Sequence, residues 1–147
     1  MEVIFQIVMS FFACIAFSII FNAPRKELPF CGISGSISWG VYFFVNQILA
    51  QQVLATFLAT LVVTIVCRFL SSIRLEPSTM YHIAGILPLV PGMNIYNAMS
   101  GILSNDLLYC FEQGVAALKL ASAIAIGSIL ILSLPQSMFQ ISFKNHK

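Results

Sequence analysis

The stretch that decides the fold is Pro88-Leu89-Val90-Pro91-Gly92, which lies inside a segment apolar enough to cross a bilayer. Each proline removes a backbone hydrogen-bond donor and clashes with the preceding turn, and Gly92 adds backbone freedom. A continuous helix is therefore not expected here. Lipid offers no hydrogen-bond partners, so broken backbone at membrane depth must face protein or a water-filled cavity. The stretch predicts a broken transmembrane helix, an element from which secondary transporters build binding sites.

The composition of the chain around this stretch is that of a membrane protein. Of its 147 residues, 59% are hydrophobic and only 8% are charged, whereas soluble domains carry about 25% charged residues. A polytopic protein of the lipid bilayer is therefore expected. The net charge of +2 and the lack of a basic run exclude nucleic acid as a partner.

Five segments have the length and hydropathy of membrane spans, each close to the roughly 20 residues that cross a core of about 30 Å. We expect an all-α integral membrane protein with a single transmembrane domain over residues 1–147 and a fourth helix broken between Pro88 and Gly92. The predicted spans are residues 3–21, 30–47, 53–70, 82–103 and 115–134, with a tail at 135–147.

The positions of the basic residues predict the orientation of these spans. Cytoplasmic loops are enriched in Lys and Arg. With five crossings, the places that hold these residues share one side, and the turns on the other side contain none. We therefore expect a cell-membrane protein with its N-terminus outside and its C-terminus cytoplasmic. The basic positions are Arg25 and Lys26, Arg68 and Arg74, and Lys144 and Lys147.

Polar side chains directly after the break indicate a substrate site. The helix that restarts after Gly92 presents free backbone amides, which favour an anionic group such as a carboxylate. Asn94, Tyr96 and Asn97 follow within two turns. The alternative is a proline kink whose asparagines bond to neighbouring helices. The predicted substrate-binding residues are Pro88, Pro91, Gly92, Asn94, Tyr96 and Asn97.

Small residues in the second span predict close helix packing. Residues with small side chains at four-residue spacing let helices approach closely, and their hydroxyl groups bond across the interface. Direct contact with the substrate is the alternative. Similar residues recur in the fifth span between Gly114 and Ser128. The predicted packing residues of the second span are Gly32, Gly35, Ser36 and Gly40.

Two titratable residues are candidates for coupling transport to protons. His82 lies near the start of the fourth span and titrates near neutral pH. Lys119 lies about one turn inside the predicted fifth span, where a charge is either functional or snorkels to the interface. No acidic residue is expected at membrane depth.

The sequence contains no pattern typical of an enzyme, a metal site or a cofactor site. The four cysteines form no C-x-x-C pair, and G-x-S-x-G, H-E-x-x-H and phosphate-binding glycine loops are absent. His82 with a buried serine is the one enzymatic alternative, an intramembrane hydrolase. A structure with no hydroxyl near His82 would exclude it.

Three sets of residues carry a family resemblance over nearly the whole chain. They are Phe21-Asn22-Ala23-Pro24, then Cys31 with Gly35-Ser36-Ile37 and Gly40, and Pro88-x-x-Pro91-Gly92 followed by Tyr96. With them the chain resembles the short five-span membrane half of the threonine/serine exporter family, in its split-subunit type.

The resemblance implies secondary-active, proton-driven export of small polar metabolites from the cytoplasm. Threonine and serine form one substrate class of the family, and dicarboxylates such as succinate form another. It also implies a second membrane half as partner, which would supply the acidic groups that this chain lacks in its spans. No family role is carried onto His82 or Lys119. A channel-like or scaffold subunit without its own substrate site is the alternative.

Overall fold

The structure, a computed structural model, describes residues 2–135, and within that range it contains helices and no strands. The predicted tail beyond Pro135 lies outside the described residues. The helices are α1 (Glu2–Ile20), α2 (Leu28–Leu49), α3 (Gln52–Arg74), α4 (Ser78–Ile86), α5 (Gly92–Leu103) and α6 (Leu107–Leu132), with a 3-10 turn at Leu87–Leu89.

Helices α1, α2, α3 and α6 are each long and apolar enough to cross a membrane. The segments Ser78–Leu89 and Gly92–Leu103 meet that criterion only together, and they are bent by 55° at the break. The chain therefore has four candidate spans in its described part, or five if the bent pair is one span. The prediction of an all-α membrane protein with a helix broken at Pro88–Gly92 is confirmed.

The helix ends differ from the predicted spans because hydropathy marks only the apolar middle of a helix. Helix α6 begins at Leu107 instead of 115, since the Asp106 side chain accepts a hydrogen bond from the Tyr109 amide and caps its first turn. Helix α3 continues to Arg74 instead of 70. Helix α4 begins at Ser78 instead of 82, directly after Pro77.

The two halves of the bent pair pack against different neighbours. Helix α4 lies against α2 and α3, whereas α5 packs mainly on α6. Helices α1 and α6 flank the central α2–α3 hairpin, on α2 and α3 respectively. A straight helix could not follow both sets of neighbours, so the bend is built into the packing. The core under α4 consists of Cys31, Val63, Cys67, Tyr81 and Ala84.

A column of buried threonines gives α3 a polar face that needs no partner outside its own helix. The Thr60 and Thr64 hydroxyls donate to the carbonyls of Thr56 and Thr60, each at 2.7 Å. This satisfies hydroxyl groups that would be costly to bury unpaired. A Cβ on Gly127 would lie 3.2 Å from Thr60, so α6 approaches α3 closely at this column.

Arg68 joins the ends of α3 and α6. Its guanidinium is buried and donates to the carbonyls of Ile131, in the last turn of α6, and of Leu134, two residues beyond the helix. A cation at a helix C-terminus is also favoured by the helix dipole. Arg68 therefore caps the C-terminal end of α6.

Gly101 is the point of closest approach between α5 and the start of α6. A Cβ there would lie 2.9 Å from the Cys110 amide nitrogen and 3.1 Å from the Asp106 carbonyl oxygen. Both are backbone atoms, which cannot rotate away as a side chain can. Gly114, on the same pair of helices, has no atom within 4 Å of that position.

We expect Gly101→Ala to lower the melting temperature of the purified protein in detergent, because overpacking costs about 1–3 kcal/mol. Gly114→Ala is the matched control. It should leave the melting temperature unchanged or raise it, since alanine favours a helix by about 1 kcal/mol over glycine. Equal melting temperatures for the two variants would contradict the close approach at Gly101.

Candidate functional site

The break between α4 and α5 is a short, locally bonded turn. After the 3-10 turn, Val90 is extended and Pro91 precedes the first residue of α5. The Val90 amide donates to the Leu87 carbonyl at 3.2 Å, and the Gly92 amide donates to Val90 at 2.7 Å. Local hydrogen bonds thus replace part of the interrupted helix, as backbone at membrane depth requires.

The prolines, more than the glycine, account for this break. Pro91 is buried and Pro88 is half-buried, whereas Gly92 is exposed. No glycine of the described residues has a positive φ, and no atom lies within 4 Å of a Cβ built on Gly92. The expectation that Gly92 supplies special backbone freedom is therefore not met in this conformation.

The three polar residues after the break do not all lie on the same side of α5. The half-buried Asn94 donates through Nδ2 to Oε1 of Gln113 on α6 at 3.2 Å. Asn97 is half-buried and lies one turn along the same side of α5. The Tyr96 side chain is 67% exposed. Asn94 and Asn97 thus share one side of α5, and Tyr96 does not join them.

A cavity of about 320 Å³ opens on the other side of the break, between α1, α2 and the 3-10 turn. Its wall is mainly apolar, and its polar groups come from α1 and α2. Trp39 donates through Nε1 to Oε1 of Gln6 at 3.3 Å, and the Ser10 hydroxyl donates to the Gly35 carbonyl at 3.1 Å. Of the predicted site residues only Pro88 lines this cavity, which is lined by Gln6, Met9, Ser10, Ala13, Cys14, Phe17, Trp39, Leu87 and Pro88.

The small residues of α2 lie against α1. A Cβ on Gly32 would meet the Phe11 ring at 2.7 Å, and one on Gly35 would overlap the Cys14 side chain. The Ser36 hydroxyl donates to the Ile7 carbonyl at 3.3 Å. Gly40 is less crowded, with Ile7 at 3.7 Å. Gly35 also approaches the break, since its Cβ would lie 3.7 Å from Pro88.

His82 is paired with a serine of α6. Its Nε2 lies 3.2 Å from the Ser128 hydroxyl, and Ser128 is buried. The condition that would have excluded an intramembrane hydrolase is therefore not met. Among the described residues, however, no carboxylate bonds to the histidine ring as the third group of a hydrolytic triad would.

Lys119 lies halfway along α6 and not one turn inside its start, because the helix begins at Leu107. Its side chain is exposed. It lines an open groove of about 300 Å³ together with Glu112 and with Gln52 at the start of α3. The structure places Lys119 apart from both His82 and the break.

The sequence did not predict a buried ion-pair cluster around Glu27. This residue is 5% exposed, although it ends the polar turn after α1. Arg74 donates to its two carboxylate oxygens at 2.7 and 3.1 Å, and the Tyr81 hydroxyl donates to Oε2 at 2.6 Å. The Phe30 ring lies 4.5 Å below the Arg74 guanidinium. The cluster joins the start of α2, the end of α3 and α4.

The hydrogen bonds from Arg74, and to a smaller extent the one from Tyr81, hold the pKa of Glu27 below its ordinary value. The carboxylate is therefore ionised near neutral pH. Nothing near Glu27 in the sequence indicates this role, because its partners lie 47 and 54 positions further along the chain.

Comparison with known proteins agrees with this architecture. The sequence profile described as "Threonine/Serine exporter, ThrE" matches residues 6–134. An uncharacterized protein of Haemophilus influenzae is 26% identical over 145 residues, which is 95% of this chain and 48% of that protein. The chain thus spans about half the length of this curated relative. No solved structure matches the chain. Because the profile covers nearly the whole chain, including the broken helix, the protein belongs to the threonine/serine exporter family.

Proposed function

We propose that this chain is a subunit of a secondary-active, proton-coupled exporter of small polar metabolites. The substrates are amino acids of the threonine and serine type or a dicarboxylate such as succinate. It acts in the cell membrane with a second membrane subunit, its N-terminus outside and its C-terminus cytoplasmic. The observation that carries this proposal is the 55° bend at Pro88–Gly92 in a member of an exporter family.

The bend supports transport because it connects two packing units. Helix α4 packs on α2 and α3, whereas α5 packs mainly on α6. Movement of the two halves of the bent pair against these neighbours would open or close the space beside the break. Rigid-body rocking around a broken helix is how many secondary transporters alternate access.

The polar groups near the break suit a small substrate better than a large one. Asn94 and Asn97 lie on one side, and the cavity lined by Gln6, Ser10 and Trp39 lies on the other. Its volume of about 320 Å³ is at the lower end of ligand pockets. In the proposed mechanism Pro88 lies between the side of α5 that carries the asparagines and the cavity. The two spaces become continuous when the halves of the bent pair move.

A second subunit is supported by the length of the relative and by the exposed helices. The chain matches 48% of the Haemophilus influenzae protein. Helix α6 exposes Leu118 and Ile126, and a groove of about 550 Å³ separates it from α5. In the proposal, the second subunit packs over part of this surface.

Efflux of labelled threonine, serine and succinate from cells tests the function. The chain is expressed with and without a candidate partner subunit, and we expect efflux of one substrate class only when both are present. Full efflux from the chain alone would contradict the need for a partner. No efflux of any of these substrates would contradict the proposed function.

We expect Pro91→Ala to reduce this efflux by about tenfold, which corresponds to only ~1.4 kcal/mol of barrier. The reason is that an alanine can donate a hydrogen bond and lets the helix straighten. Pro24→Ala, which changes an exposed proline in the turn after α1, is the matched control and should retain efflux. Unchanged efflux in Pro91→Ala with normal amounts of protein in the membrane would favour a channel-like or scaffold subunit.

The Asn94–Gln113 pair allows a test that separates packing from substrate contact. Asn94→Leu should lower the melting temperature, because it leaves the side-chain oxygen Oε1 of Gln113 without its hydrogen-bond donor. Adding Gln113→Leu removes both partners and should restore the melting temperature. If Asn94 serves the substrate, the stable double variant still fails to export. Recovery of efflux together with stability would show that the pair serves packing alone.

A further inference from the structure

Glu27 is a buried titratable group that the proposed function does not yet use. Of the acidic side chains that the structure describes, it alone is buried; Asp106 and Glu112 are exposed, and Glu76 is half-buried. Its carboxylate is closed in by donors from two other helices, Arg74 and Tyr81. A carboxylate in such a place exchanges its proton only when those donors move.

The cluster is connected directly to the first half of the broken span. Tyr81 lies in α4, five residues before its end at Ile86 and the turn that contains Pro88. The Tyr81 carbonyl also accepts a hydrogen bond from Ser34 of α2 at 3.3 Å. A shift of α4 away from α2 therefore breaks the contact between Tyr81 and Glu27, and closure of α4 remakes it.

We propose that Glu27 is the proton-binding site of the exporter and that it releases its proton when Arg74 and Tyr81 close on it. This inference rests on the proposed function. In the closed state the carboxylate is ionised and accepts three hydrogen bonds. In the open state Tyr81 has left with α4 and the partly exposed Arg74 side chain has rotated away, and the buried carboxyl group takes one proton because burial favours its neutral form. In this proposal the proton is taken up from the face opposite the basic residues and closure releases it to water at the face that holds them, so each cycle moves one proton across the membrane.

The surroundings of Glu27 are consistent with this cycle. The groups that face it are Arg74 of α3, Tyr81 of α4, Cys31 of α2 and Lys26 of the preceding turn. The hydrogen bonds from Arg74 and then Tyr81 lower the pKa of Glu27 in the closed state, and burial opposes them. The Arg74 side chain is 35% exposed, so water reaches the cluster from the face that holds the basic residues.

The test compares two activities of the exporter in proteoliposomes, using the preparation that exports in the efflux assay above. One is transport driven by an imposed pH gradient, and the other is exchange of labelled for unlabelled substrate without a gradient. Glu27→Gln keeps an acceptor for Arg74 and Tyr81 but cannot ionise. We expect it to lose gradient-driven transport by about tenfold, a usual size for coupling between two sites, and to retain exchange.

Two further variants complete the comparison. Glu76→Gln, an acid on the same face without a role in the cluster, should retain both activities. Glu27→Asp should recover part of the gradient-driven transport. Gradient-driven transport that persists in Glu27→Gln would overturn the inference. So would loss of both activities with a normal size-exclusion profile, since Glu27 would then be needed for substrate transport itself and not for proton coupling. A wild type with neither activity would instead refute the proposed function, and this inference with it.

The pH dependence of stability provides a second measurement that needs no transport. Because the pKa of Glu27 is lowered in the folded state, its ionised carboxylate contributes to the free energy of unfolding. This contribution is complete above the ordinary pKa of a glutamate and is lost as the pH falls through the lower pKa of the folded state. Melting temperatures of the wild type and Glu27→Gln in detergent should therefore converge as the pH falls from about 7 to about 3. A difference that is constant with pH would show that Glu27 is not ionised in the cluster.

Discussion

The constraint on which this structure depends is that a helix containing Pro88 and Pro91 must bend within a membrane-spanning segment. The resulting 55° bend divides the bundle, because α4 follows α2 and α3 while α5 follows α6. The amides of Val90 and Gly92 find acceptors within the turn, which keeps the broken backbone bonded. Everything proposed about function follows from this division into two packing units.

The two units are held together by contacts of different chemistry. Gly127 lets α6 approach Thr60 of α3 closely, and Nε2 of His82 in α4 lies 3.2 Å from the Ser128 hydroxyl of α6. Near the end of α6, Arg68 of α3 donates to the Leu134 carbonyl. These contacts follow the interface between α3 and α6, and the space beside the break is bounded mainly by apolar side chains. Movement of α4 and α5 against their neighbours requires no helix to unfold.

Much of the architecture was predictable, because hydropathy and proline act within a short window of sequence. The broken helix and the membrane class followed from such windows. The ends of the helices did not, since caps such as Asp106 act through one side chain and hydropathy does not register them. Lys119 illustrates the consequence: an earlier start of α6 moves it from the end of a span to the middle of a helix. Tyr96 was grouped with Asn94 by proximity in sequence, but helical geometry separates them.

By itself, the sequence determined that this protein lies in a membrane, that its helices are mostly continuous and that one of them breaks at Pro88–Gly92. These properties depend on composition and on the covalent geometry of proline, which act wherever the segment lies. Only the tertiary structure decided that Glu27 is buried against Arg74 and Tyr81, and that a cavity beside Pro88 is lined mainly by α1 and α2. Such features depend on which helix faces meet, and residues 47 and 54 positions apart leave no local trace of their contact.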